Sequence, residues 1–346
     1  QAPGAGPAGD GIYLRQRPIE GELAFVFTGP AGVYHGMGRD LLLAVPELLE
    51  RLYARCARVE DTGRWIYDPR QAEVDPMPHD KLWGSSFLSQ IHVELSRRLL
   101  GLAPQATLGF CSGETNALFA MEAWRDLDAF FPDLLREQVF TRHIGGQFVE
   151  LGQAWGEAAP RWENWRVLAP ADAVERAVTA AGPRVRLTIV SAPGDVVIGG
   201  EPAACRRVVE QIGVSRAYPL GYDVCIHCPE FDGFAGTWRR LHHRQTFEVP
   251  GVRFYTSASA SHYAPTADAA ADALTGMALN RVDFPAVVRA AHDDGVRVFV
   301  EHGPRDGCTR WIGRILEQRE HVAVALDRGG RSSAEGCAPT CFGTRL

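Results

Sequence analysis

What this 346-residue chain lacks narrows its class before any motif is read. It has no uninterrupted apolar run long enough to span a membrane, and its first residues show no basic region leading into an apolar one, so neither a spanning helix nor a signal peptide is expected. Its net charge of -6 comes without a long basic stripe, which argues against nucleic acid as the main partner. The eight cysteines (Cys56, Cys111, Cys205, Cys225, Cys228, Cys308, Cys337 and Cys341) follow no disulfide-framework rhythm, so a reduced, cytoplasmic protein is the simpler expectation.

What is present is ordinary in bulk. Hydrophobic residues make up 46% and charged residues 23%, the balance of a globular chain long enough for one large α/β domain or two smaller ones. The Gly/Pro/Ala-rich lead QAPGAGPAGDG, beginning at Gln1, reads as a linker, as if cut from a longer polypeptide. Leu23 to Phe27 reads as a buried strand, followed by the turn Gly29-Pro30-Ala31-Gly32. A helix is expected from about Arg39 through LLLAVPELLERLYARCARV, interrupted near Pro46, and an amphipathic helix over Leu88 to Leu100. Val296 to Val300 and Val322 to Asp327 read as late strands. Strands separated by helices imply a mainly parallel sheet.

Gly109-Phe110-Cys111-Ser112-Gly113-Glu114 is the most informative stretch. Its G-x-nucleophile-x-G form is that of a nucleophile elbow, with strand residues Ala106 to Leu108 before it and the apolar helix Thr115 to Trp124 after it. The two glycines bracket Cys111 symmetrically and so single it out over Ser112. A thiol at a helix N-terminus is expected to gain thiolate character. On this loose pattern alone a buried structural cysteine stays open beside the nucleophile.

The segment from Trp165 to Leu220 breaks the parallel regime. Strand Trp165–Leu168, helix Ala171–Ala181, strands Arg184–Val190 and Gly194–Gly199 about the turn at Pro193, helix Glu201–Ile212 and strand Ser215–Leu220 give the order β-α-β-β-α-β of a ferredoxin-like unit. A ligand cleft is expected between this unit and the larger one.

Several motifs in order resemble the acyltransferase domains of type I polyketide and fatty-acid synthases, related to malonyl-CoA:acyl carrier protein transacylases. Phe25-Val26-Phe27-Thr28-Gly29 with Gly36-Met37-Gly38, the elbow, the hairpin SAPGDVVIGG, Ile226-His227-Cys228-Pro229 and Val300-Glu301-His302-Gly303-Pro304 carry the likeness across Glu22 to Arg328. The style of YHGMGRDLLLAVPEL is similar to iterative enediyne-type or polyunsaturated-fatty-acid-type synthases. The resemblance implies an α/β fold: an α/β-hydrolase-like large subdomain with a parallel sheet, residues 22–160 and 221–330, and an inserted ferredoxin-like small subdomain, 161–220. Residues 1–21 would then be a linker toward a neighbouring ketosynthase domain, and 331–346 a disordered or artificial tail.

The same resemblance implies the chemistry. Cys111 attacks an acyl-CoA, holds the acyl group as a thioester and passes it to the phosphopantetheine thiol of an acyl carrier protein. His227 acts as general base and acid, oriented by the backbone carbonyl at Met277. CoA is a substrate, and no cofactor or metal is implied. A zinc-ligand role for His227 beside Cys225 and Cys228 is the alternative reading of that segment. The oxyanion hole falls to Ser112 N–H and, because Pro30 stands where the family has glutamine, to Ala31. Losing one donor of this kind costs about 10²–10³ in rate, so a slow domain is expected unless the turn supplies another. Phe110 replaces the usual histidine before the nucleophile. Arg136, or Arg142 if a short insertion intervenes, would pair with the free carboxylate of a malonyl group. Ile226 before the histidine would crowd an α-methyl, which also favours malonyl. A thioester hydrolase with the same dyad, or a docking domain that has lost its chemistry, are the competing functions.

Overall fold

The computed structural model describes residues 7–9, 12–13 and 17–328. The expected tail, with Cys337 and Cys341, lies outside them. Within the lead read as linker, β1 (Pro7–Gly9) and β2 (Ile12–Tyr13) form a short antiparallel pair. The remaining strands in chain order are β3 (Glu22–Phe27), β4 (Ala106–Gly109), β5 (Glu163–Val167), β6 (Val185–Ala192), β7 (Asp195–Gly200), β8 (Ala217–Pro219), β9 (Arg253–Thr256), β10 (Ser261–Tyr263), β11 (Val282–Asp283), β12 (Val296–His302) and β13 (Val322–Ala325).

The large sheet has the order β10-β9-β4-β3-β12-β13. Every pair is parallel except the edge hairpin β9–β10. Its central strands are continuous apolar runs because both faces are covered: Ala24 to Phe27 are fully buried. Helices form the cover. The segment after Arg39 divides into Arg39–Ala44 and Glu47–Tyr53, with Pro46 as the break. The expected helix over Leu88 to Leu100 instead spans Pro78–Val93 and winds into a π-turn over Glu94–Leu99. It is not amphipathic. Ser85, Ser86, Ser89, Gln90 and His92 are as buried as Phe87 and Ile91, so its polar residues mark no solvent face.

The second sheet has the order β11-β6-β7-β5-β8. Its β6-β7-β5-β8 part is antiparallel, and helices Ala171–Ala181 and Pro202–Ile212 pack on it over a separate core of Val167, Val174, Val185, Val196, Ile198 and Val208. This is the ferredoxin-like unit. The fully buried Asp195 ties it to the large part: it accepts from Arg166 Nε at 2.8 Å and from Trp311 Nε1 at 3.0 Å, the latter on helix Gly307–Ile315. Among the described residues no helix is long and apolar enough to cross a membrane.

Candidate active site

β4 ends at Gly109 and the next helix begins at Gly113, so the chain reverses within three residues. Space dictates both glycines. A Cβ on Gly109 would lie 2.0 Å from Glu114 N, and one on Gly113 would lie 2.0 Å from Phe27 O. Cys111 between them has φ +55°, a left-handed conformation that costs on the order of 1–3 kcal/mol in a non-glycine residue. The elbow lifts its sulfur out of the strand toward a cavity.

His227 meets it there. Its backbone is also left-handed, φ +63°, and its N–H donates to Ala278 O at 2.7 Å. Nδ1 lies 2.8 Å from Met277 O and Nε2 lies 3.0 Å from Cys111 Sγ. A carbonyl accepts only, so Nδ1 carries the proton and the Nε2 lone pair faces the thiol. Burial holds this pair neutral. It pushes the Cys111 thiol up to about 12, against the opposing effect of Ser112 N–H, and it pushes His227 down to about 4, against the bond to Met277 O. This desolvation opposes the thiolate character expected at the helix N-terminus. Cys225 and Cys228 face each other at 3.7 Å between sulfurs, while both His227 nitrogens are engaged elsewhere. Among the described residues no group of three or more His, Cys, Asp or Glu side chains could hold a metal.

Pro30 opens a single 3-10 turn, Pro30–Gly32, which lies against the elbow: a Cβ on Gly29 would come within 3.6 Å of Cys111 Cβ. Ala31 N–H has no backbone acceptor among the described residues. It stays the candidate for the second oxyanion donor. Two acids of the motifs serve the scaffold. Glu114 accepts from Ser257 N at 2.8 Å and Oγ at 2.7 Å, and Glu301 accepts from Cys308 N at 2.9 Å and Thr309 N at 2.6 Å, capping the last helix.

The structure separates the expected substrate residues. Ile226 lines the cavity. Phe110 does not; its ring packs 4.7 Å from Trp311 and 5.5 Å from Phe284, on the far side of the elbow. Arg136 is a surface residue, 68% exposed and paired with Asp133. Arg142 is also exposed, on the π-turn Val139–His143. Neither arginine reaches the cavity, which corrects both carboxylate-pairing assignments. The physical reason is local: helix Leu127–Arg136 buries Leu127, Phe130, Phe131 and Leu134 and leaves Arg136 outside, and Gln138, left-handed at φ +50°, turns the residues after it, Arg142 among them. Sequence reasoning instead missed the wall, formed by Phe119, Phe130, Phe131, Leu134, Phe140 and Trp238. Their helical spacing was a usable signal, but it is also that of ordinary core.

No protein-family model matches the chain. Its fold is that of the acyltransferase domains of polyketide synthases and of malonyl-CoA:acyl carrier protein transacylases, as the motifs implied. It superposes on such a transacylase from Xanthomonas oryzae pv. oryzae with a TM-score of 0.73 at 21% identity, covering 91% of this chain and 98% of that one. On the acyltransferase domain from the second module of the salinomycin polyketide synthase the TM-score is 0.71 at 23% identity, covering 92% and 72%. In sequence the chain is 26% identical to a segment of a polyunsaturated fatty acid synthase polypeptide of Thraustochytrium sp., over 93% of this chain and 17% of that protein. It is equally similar, at 26%, to part of a mycocerosic acid synthase-like polyketide synthase of Mycobacterium tuberculosis, over 87% of this chain and 14% of that protein. The chain thus spans less than a fifth of the length of these curated relatives.

Proposed function

We propose that this chain is an acyltransferase domain of a multidomain synthase, moving an acyl group from CoA to an acyl carrier protein through a thioester on Cys111. The observation that carries the reading is the chain of contacts Met277 O, His227 Nδ1, His227 Nε2, Cys111 Sγ, with steps of 2.8 and 3.0 Å. In the first half-reaction the sulfur attacks the thioester carbonyl as its proton passes to Nε2. Because the resting pair is neutral, proton transfer accompanies attack. The oxyanion is received by Ser112 N–H and Ala31 N–H, the C–S bond to CoA breaks, and the leaving sulfur takes the proton back from Nε2. The carrier thiol repeats the sequence in reverse. A thioester is exchanged for a thioester at each step, so neither half-reaction faces a large energy difference. The relatives are synthases of which this chain spans under a fifth, which supports a carrier protein as partner; a neighbouring ketosynthase joined through the N-terminal segment is part of the same proposal.

Transfer from a set of acyl-CoA donors to a phosphopantetheinylated carrier protein, followed by intact mass, tests this. Cys111→Ala is expected to lower the rate by at least about 10³. An unchanged rate in that variant would overturn the reading, and free acid released without carrier loading would replace it with the hydrolase.

The base makes a separate prediction. His227→Ala is expected to slow acylation by about 10²–10⁴. With His227 neutral above about 4, acylation by the parent should hold level from pH 8 down to about 5. A histidine at its ordinary value near 6.5 would instead lose rate below that point. A half-maximal rate near pH 6.5 would contradict the neutral, buried base.

A further inference from the structure

The cavity's lining bears on which acyl group it takes, and the inference rests on the acyl-transfer reading above. We infer that the cavity behind Cys111 rejects a chain ending in a second carboxylate and accepts a short, neutral acyl group.

Charge decides the first half. No arginine or lysine lines the cavity among the described residues. Arg136 and Arg142 are on the surface. Lys81, the chain's single lysine, gives its ammonium to Gly221 O at 2.5 Å and Asp75 at 2.7 Å, outside the lining. His242 is the remaining basic side chain of the wall besides the catalytic pair. It is fully buried, its Nδ1 meets Trp238 O at 2.8 Å, and burial together with the neighbouring Arg244 charge holds it down at about 4, hence neutral. A malonyl carboxylate entering this space would leave water and meet no cation, the situation in which burying an ion is most costly.

The other polar side chains of the lining carry no positive charge either. Ser86 Oγ, Ser112 Oγ and Asn116 Nδ2 are buried without a protein partner and line the cavity. Ser112 and Asn116 belong to the first helical turn after Cys111, beside the sulfur that would carry the acyl group. They offer hydrogen bonds but no compensating charge. Beyond them the lining follows the helix from Ser112 to Phe119, about 10 Å at 1.5 Å per residue. Phe119, Phe130, Leu134, Phe140 and Trp238 form that deeper wall. The open space there is about 40 Å³, which suits a short, neutral acyl group.

Burst-phase acylation of Cys111 by acetyl-, propionyl- and malonyl-CoA, followed by intact mass on the chain as it stands, tests both halves. The faster of acetyl and propionyl is expected to acylate at least about 10² times faster than malonyl. Malonyl acylating as fast as the faster neutral donor would overturn the inference while leaving acyl transfer intact. No adduct from any of the three would overturn the acyl-transfer reading itself, and the inference with it.

Discussion

Gly113→Ala is expected to destroy the elbow and much of the fold with it. The added methyl would lie 2.0 Å from Phe27 O and 2.7 Å from its carbonyl carbon. Those atoms are backbone in β3, a central strand hydrogen-bonded between β4 and β12, so the obstacle cannot rotate away as a side chain would. Relief requires moving the helix that begins at Gly113 off the sheet, which opens the packing of Leu118, Phe119 and the residues around them. A loss of about 4–5 kcal/mol or more follows, the size reserved for steric conflicts in the core. Thermal unfolding should fall by about 10 °C or more, or the variant should fail to accumulate in soluble form. Gly313→Ala supplies the contrast. It lies within helix Gly307–Ile315, and nothing stands within 4 Å of where its Cβ would be. There alanine should stabilise by about 0.5–1 kcal/mol through helix propensity. Equal melting temperatures for the two variants would refute the steric account.

That contrast explains why the elbow was legible in the sequence. Its requirement for glycine is local: strand, reversal and helix must fit within five residues, and only Gly109 and Gly113 allow it. The ferredoxin-like order was legible for a similar reason, since Pro193-Gly194 punctuates β6 and β7 and the flanking helices keep their period. His227 and Met277 were reachable only by resemblance and counting, because they lie 116 and 166 residues from Cys111 along the chain and meet it through tertiary packing. The arginines were misplaced because a helix's facing is set by what it packs against. One left-handed residue, Gln138, redirects everything after it. Phe110 was undecidable locally, since its partners Phe284 and Trp311 come from distant helices. The thiol's protonation was beyond local reading on the same ground: a helix N-terminus can be read from sequence, but the desolvation that opposes it cannot.

Burial of titratable groups also sets how the fold should respond to acid, and the expected effect is large. His92, His227, His242 and His302 are all buried, and burial holds them down at about 4, 4, 4 and 3. Desolvation is the main reason the rings resist protonation. His92 Nδ1 accepts from Gly303 N at 3.0 Å, and His302, whose Nδ1 meets Val300 O, presents its Nε2 to Ser96 Oγ at 2.8 Å. A proton on His92 Nδ1 breaks its bond, whereas Ser96 Oγ can turn to accept from a protonated His302 Nε2. In the unfolded chain a histidine titrates near 6.5, so below that value the unfolded state binds more protons. Their contribution is therefore fully present above about pH 6.5 and is lost as pH falls toward 4. At pH 5 each ring costs on the order of 2 kcal/mol, and four together rival the whole stability of a typical domain. Glu114 and Glu301 work in the opposite sense. Burial pushes both carboxyls up to about 7, so their contribution is present below the ordinary value near 4.5 and is lost as pH rises through 7. Two carboxyls against four imidazoles place maximal stability close to pH 6.5–7, with the steeper fall on the acid side. Urea unfolding from pH 8 to pH 5 should reveal it. His242→Phe, which keeps the ring stacked between Trp124, Phe130 and Trp238, should reduce the acid slope by one proton, about 1.4 kcal/mol per pH unit. A stability that stays level between pH 6.5 and 5 would mean that these rings reach solvent or carry charge in the folded protein, and the neutral His227 on which the proposed base depends would fall with them.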